Sequence, residues 1–230
     1  MPDKHLRTDW FLRTVAVGPA FRALSRMRVE GRENVPREGA VIVAANHLSS
    51  MDAVIVPLAM DRPTTFLAKA EYFTGEGLKG RLTAGFMERL GTIPVDRAKG
   101  RAALLSLDAA QQALEDGRAF AMHPEGTRSP DGRLYRGRTG VARLSLVTGA
   151  PVLPCGIVGS DRLLAPGSRL PRPAKVVVTF GPLLRPGQYR SGPMAVRSRD
   201  MTIDIMTAIQ RLTGQEYVDR FSPGPHGTTG

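Results

Sequence analysis

Apolar positions along this chain come in short runs separated by polar breaks. Ala40-Val41-Ile42-Val43-Ala44-Ala45 is nearly continuous and β-branched at its centre. Such a run suits a strand buried on both faces. Asn46-His47-Leu48-Ser49-Ser50 interrupts it. Residues 51–60 then read as a helix, with Ser49 or Ser50 available as N-cap and Pro57 bending it. Further strands are expected at 64–68, 92–95, 118–122, 152–158 and 175–180, and further helices at 78–89, 101–115, 140–148 and 198–212. Strands alternating with helices predict an α/β fold whose mixed, largely parallel sheet is flanked by helices.

Residues 8–27 carry a different pattern, a helix in two pieces parted by Gly18-Pro19, because proline removes an internal hydrogen bond. Trp10, Val17, Phe21 and Leu24 share one stripe, with Arg22 and Arg26 elsewhere. A basic helix with an aromatic-rich face can rest in a lipid interface, so an N-terminal helical membrane-contacting segment is expected. Packing of that helix on its own domain is the plain alternative. The expected divisions are an amphipathic segment at 1–28, one domain at 29–213 and a tail at 214–230. Residues 163–173 read as a surface loop and 222–230 as a loose end.

Composition narrows the classes. A hydrophobic share of 42% and a charged share of 23% belong to a globular protein and exclude collagen and wholesale disorder. The formal charge of +11 predicts an anionic partner: a bilayer, a phosphorylated substrate or nucleic acid. Arginine outnumbers lysine 27 to 5, and its planar fork suits phosphate, although a coding bias toward arginine would look the same. With 6% aromatic residues and no nucleic-acid motif, nucleic acid is not the expected partner. Cys155 stands alone, so no intrachain disulfide is expected. No stretch reaches the ~18 apolar residues of a spanning helix, and no signal-peptide core is evident. Contact with a membrane would therefore be peripheral.

Three polar clusters border predicted strands: 46–52, 91–97 and 123–128. Ligands of open α/β sheets gather beyond the carboxyl ends of strands, so the three suggest one composite site. On one continuous helix His47 and Asp52 would lie about 140° apart, too far round the axis to share a proton. With His47 in the turn and Asp52 in the first helical turn, the imidazole can fold back onto the carboxylate. A histidine held that way presents its other nitrogen as a general base. Spacing alone equally allows a capping pair. His123-Pro124-Glu125-Gly126-Thr127-Arg128-Ser129 combines a glycine-containing turn, with free N–H groups, and an arginine fork for phosphate or carboxylate. Gly91-Thr92-Ile93-Pro94-Val95-Asp96-Arg97 ends in a second arginine, which an Asp–Arg surface pair would also explain.

Together these pieces resemble the glycerolipid acyltransferase family. Asn46-His47-Leu48-Ser49-Ser50-Met51-Asp52 resembles its His-x-x-x-x-Asp motif. The segments 91–97, 124–129 and 150–155 resemble its second, third and fourth motifs, in the family's order. The resemblance covers about residues 29–180 and implies roles. His47 would deprotonate the acceptor hydroxyl, and Asp52 would orient and charge-stabilise it. Arg97, Glu125, Gly126, Thr127 and Arg128 would hold the acceptor, with the arginines on its phosphate. Lys69 resembles a basic residue near that phosphate, and Pro154 would shape a wall.

The resemblance further implies a lysophospholipid, above all 1-acylglycerol 3-phosphate, or glycerol phosphate as acceptor. Acyl-CoA or acyl carrier protein would be co-substrate. No metal or other cofactor is expected, and the setting is the cytoplasmic face of an anionic membrane. Four alternatives accompany this reading. Ser49 or Ser50 could be a covalent nucleophile. His47, Asp52, His123 and Glu125 could ligate a metal in a hydrolase. His123 could be an incidental neighbour or sense the substrate. The chain could also be a non-enzymatic anion binder.

Overall fold

The computed structural model describes residues 18–60, 62–69, 92–95, 102–165, 168 and 170–224. The elements in chain order are α1 (Gly18–Ser25), β1 (Arg28–Glu30), β2 (Val41–Ala45), α2 (Asp52–Ala59), β3 (Thr64–Lys69) and β4 (Thr92–Val95). They continue with α3 (Ala102–Glu115), β5 (Ala119–Met122), β6 (Leu134–Tyr135), α4 (Gly140–Thr148), β7 (Val152–Val158) and α5 (Ser160–Leu163). Last come β8 (Val177–Phe180), α6 (Met194–Thr213) and β9 (Tyr217–Val218).

Seven strands form one sheet in the order β1-β8-β7-β2-β5-β3-β4. Strands β7, β2, β5, β3 and β4 run parallel, and β8 reverses direction against β7. The mixed, largely parallel sheet is thus as the alternation of elements requires. Strand β2 at its centre is fully buried, and its alternating residues feed two cores. Val41, Val43 and Ala45 join Ile55, Val56, Phe66 and Leu153 on one face. Ile42 and Ala44 join Phe120, Val141, Met201 and Ile205 on the other. Burying both faces of a parallel sheet demands such a run, because every second side chain enters each core.

Three segments depart from the sequence reading. Of the expected helix at 8–27, residues 8–17 lie outside the described residues. Helix α1 begins at Gly18, so Pro19 sits in its first turn, where proline is tolerated. Phe21 and Leu24 pack against the core, and the Arg22 guanidinium donates to the Leu58 carbonyl at 3.1 Å. Over its described part, the helix therefore packs Phe21 and Leu24 on its own domain, the plain alternative. Second, 214–224 is held on the domain instead of trailing as a tail. β9 pairs with β6, and Gln215 Nε2 donates to the Gly132 carbonyl at 2.6 Å. Third, β1 carries no strong apolar pattern, yet it extends the sheet beside β8. The helix expected at 78–89 lies outside the described residues. Among the described residues, no helix is long and apolar enough to cross a membrane.

Candidate active site

Because β2, β5, β3, β4 and β7 are parallel, their carboxyl ends share one edge of the sheet. His47 follows β2, and the 123–129 loop follows the adjacent β5. The tertiary fold therefore sets the first and third sequence clusters side by side. Thr92–Val95 forms β4 as expected, two places from β5, whereas Asp96 and Arg97 lie outside the described residues. Lys69 ends β3, its backbone opposite Val95 on the same edge.

His47 and Asp52 meet without a continuous helix between them. Asp52 is the first residue of α2, and His47 lies in the preceding turn. His47 Nδ1 is 2.9 Å from Asp52 Oδ2, and that oxygen also accepts the backbone N–H groups of Leu48 and Ser49, each at 2.8 Å. Asp52 is wholly buried, whereas 19% of the His47 side chain is open to solvent. Burial works against the Asp52 charge. His47, as hydrogen-bond partner and nearby charge, then His123 and Ser160 outweigh it, and the carboxyl lies below its ordinary range. With Nδ1–H given to the carboxylate, Nε2 carries the lone pair of a neutral imidazole.

The expected serine cap is absent: Met51 is the N-cap of α2, without a side-chain capping bond. Ser49 is buried; its hydroxyl donates to the Leu164 carbonyl at 3.2 Å and accepts the Met51 N–H at 3.3 Å. Those bonds direct Ser49 away from a role as nucleophile.

Glu125 is held by backbone groups of the protein itself. Its Oε1 accepts the His47 N–H at 3.1 Å and its Oε2 accepts the Tyr135 N–H at 3.0 Å. At 1% exposure it braces two loops. Burial raises its pKa to about 7, against the lowering effect of those two hydrogen bonds. From the same loop, Ser129 N–H donates to the His47 carbonyl at 2.8 Å. The third cluster thus grips the His47 backbone at both its N–H and its C=O.

Gly126 has φ +76°, where a side chain is strained, and a Cβ there would press on Arg138 Cδ and Nε at 3.1 Å. Arg138 therefore lies over the loop, its guanidinium 5.0 Å from the centre of the Phe221 ring. Thr127 is half-buried beneath Gly224, and the Arg128 carbonyl accepts the Ser222 hydroxyl at 3.3 Å. Among the described residues, neither Arg128 nor Arg138 forms an ion pair with a carboxylate. Pro154 pairs with Ala44 inside the sheet and faces Gly181, which makes it a strand residue rather than a lining of this edge.

His123 has a definite place. Its ring stacks on His47 with centroids 3.9 Å apart and planes 4° from parallel. Nδ1 lies 3.0 Å from the Ala45 carbonyl and 3.1 Å from that of Asn46, so it carries the proton. Burial, then the neighbouring His47, push its pKa down to about 3, leaving it neutral near pH 7. Among the described residues, no group of three or more His, Cys, Asp and Glu side chains is arranged to hold a metal ion.

Sequence reading missed Arg138 and Gln215 and gave Asn46 no role of its own. Asn46 is buried; its Oδ1 accepts the Ile157 N–H at 2.7 Å, and its Nδ2 donates to the Ile157 carbonyl and Gln215 Oε1, each at 2.9 Å. It prolongs the β2–β7 ladder with a side chain just before His47. A polar residue abutting a buried apolar strand was the available signal, and for Arg138 the signal was a cation close behind the third cluster.

The chain is similar to known proteins. A protein of Mycoplasma pneumoniae named probable 1-acyl-sn-glycerol-3-phosphate acyltransferase is 32% identical over 133 residues, 56% of this chain and 47% of that protein. A protein of the same name from Mycoplasma genitalium is 29% identical over 183 residues, 73% of this chain and 66% of its own length. The chain thus spans about half to two thirds of these relatives. The crystal structure of a 1-acyl-sn-glycerophosphate (LPA) acyltransferase, PlsC, from Thermotoga maritima superposes with a TM-score of 0.69 at 27% identity. That match covers 92% of this chain and 83% of the other. The family model described as Acyltransferase matches residues 26–158, more than half the chain and the whole of the His47, Asp52 and Glu125 arrangement, so the chain belongs to the acyltransferase family.

Proposed function

We propose that this protein transfers a fatty acyl group from an acyl thioester to the free hydroxyl of 1-acylglycerol 3-phosphate, forming phosphatidic acid. The donor is acyl-CoA or acyl carrier protein, and the reaction takes place peripherally at the cytoplasmic membrane surface. One observation carries the reading: a partly open imidazole held at 2.9 Å by a fully buried carboxylate that two backbone N–H groups also fix.

In this reaction His47 Nε2 takes the hydroxyl proton as the oxygen attacks the thioester carbonyl. Asp52 stabilises the imidazolium that forms. The tetrahedral intermediate collapses, the C–S bond breaks, and the leaving thiolate takes the proton back from His47. Arg128, Arg138 and the Gly126 turn supply cationic and N–H character for the acceptor phosphate, Lys69 at the end of β3 adds a further cation, and the resemblance to the family adds Arg97. Stacked and neutral, His123 keeps the His47 ring in plane without adding positive charge.

A panel assay tests the reading. One labelled acyl-CoA is offered with glycerol 3-phosphate, both monoacylglycerol phosphates and several lysophospholipids, with and without anionic vesicles. Turnover should be fastest with 1-acylglycerol 3-phosphate and should vanish in His47→Ala. Inactivity on every phosphate-bearing acceptor, or undiminished turnover by folded His47→Ala, overturns it.

A further inference from the structure

We propose that Ser160 is a positioning residue of this centre: its hydroxyl donates to Asp52 Oδ1 and keeps that carboxylate charged and aligned on His47. The inference rests on the acyl-transfer reading for its kinetic consequence but not for its geometry.

Asp52 uses its two oxygens unequally. Oδ2 receives three donors, from His47, Leu48 and Ser49. Oδ1 is buried and has no hydrogen-bond partner, and the same is true of Ser160 Oγ. These are the two buried side-chain polar atoms without a partner among the described residues. They lie at the same edge of the sheet, Asp52 opening the helix after β2 and Ser160 opening the helix after the adjacent parallel β7, and Ser160 is among the side chains that lower the Asp52 pKa. One is an acceptor and the other carries a rotatable O–H, so a small adjustment satisfies both. A buried acceptor left unpaired is costly, more so when charged.

The fold delivers Ser160 to this place. It follows β7, the parallel neighbour of β2, at the carboxyl edge of the sheet. Gly159 makes the turn at φ +87°, and a Cβ there would collide with the Lys175 carbonyl oxygen. The Asn46 side chain bonds Ile157 through both N–H and C=O, tying the end of β7 to the His47 turn. Ser160 does not cap α5, whose N-cap is Gly159 without a side-chain bond. Being fully buried, it touches no substrate and acts through Asp52.

The other titratable groups around Asp52 do not take over this task. His47 already uses Oδ2. His123 holds its proton on backbone carbonyls, and burial leaves the ring neutral. Glu125 is bound to two N–H groups, and Cys155 is kept as a neutral thiol by burial. When His47 becomes an imidazolium, Asp52 must remain a carboxylate. Without the Ser160 hydroxyl, burial is opposed by one donor fewer.

The test uses the full chain as Ser160→Ala and Ser160→Thr, each alone, and Ser160→Ala combined with Asp52→Asn. Acyl-CoA and 1-acylglycerol 3-phosphate are the substrates. Ser160→Ala should lower kcat about tenfold with the acceptor KM unchanged, and Ser160→Thr should restore it. In Asp52→Asn, adding Ser160→Ala should change nothing further, because one residue acts through the other. By proton NMR, Ser160→Ala should shift the far-downfield resonance of His47 Nδ1–H. A wild-type kcat in Ser160→Ala, an equal loss in the Asp52→Asn background, or an unmoved resonance overturns the inference. A wild-type protein inert on every acceptor sinks the acyl-transfer reading, and the resonance alone then decides the Ser160 contact.

Discussion

Replacing Glu125 by Gln should change how stability depends on pH, in a direction that the structure dictates. Glu125 is 1% exposed and carries the backbone N–H groups of His47 and Tyr135 on its two oxygens. Burial raises its pKa from 4.5 to about 7. Between those values the folded protein keeps a proton that the unfolded chain has released. The stabilisation is therefore complete below pH 4.5 and disappears as pH rises through 7. At about 1.4 kcal/mol per pH unit, the effect amounts to about 3 kcal/mol. Glutamine does not titrate, and its amide nitrogen faces one of the two N–H groups, a constant loss of about 1–3 kcal/mol. Urea denaturation of both proteins from pH 4.5 to 8 measures the difference. Wild type should be the more stable at pH 5, and its advantage should shrink by about 3 kcal/mol by pH 8. A difference that stays flat, or grows with pH, refutes the account of Glu125 as a buried, proton-retaining brace.

His123→Phe keeps a flat ring over His47 and should hold kcat within a few-fold, while His123→Ala should lose about tenfold or more in steady-state assays. Because burial and His47 hold the His123 pKa near 3, its contribution is present above pH 6.5 and lost as pH falls toward 3; melting temperatures of His123→Phe should fall less steeply than wild type between pH 6.5 and 4. Arg138→Ala should raise the KM for a phosphate-bearing acceptor about tenfold with kcat preserved; an unchanged KM removes Arg138 from the phosphate site. Gly137→Ala should cost about 1–3 kcal/mol in denaturation, since its Cβ would come within 2.7 Å of Met206 Sδ on α6.

The stacked His123 and the braced Glu125 show where sequence reading stops. Period and composition at positions 41–45, 140–148 and 152–158 determined buried strands and a helix, because each depends on neighbours a few residues away. The His47 and Asp52 spacing left open a capping pair or a catalytic one, and naming the acid and base took motif resemblance. Tertiary structure decided which side chains meet at the sheet edge. It placed β2 between β5 and β7, so that Glu125 and Ser129 grip the His47 backbone from the β5 side and the Asn46 side chain is tied to Ile157 on the β7 side. Glu125 lies 78 residues from His47, and Ile157 lies 111 residues from the Asn46 that binds it. No local propensity encodes such separations, because only closing the sheet brings the strand ends together. The same closure made Glu125 a brace: burial removed water from its carboxyl, and the donors it met were the backbone amides of His47 and Tyr135.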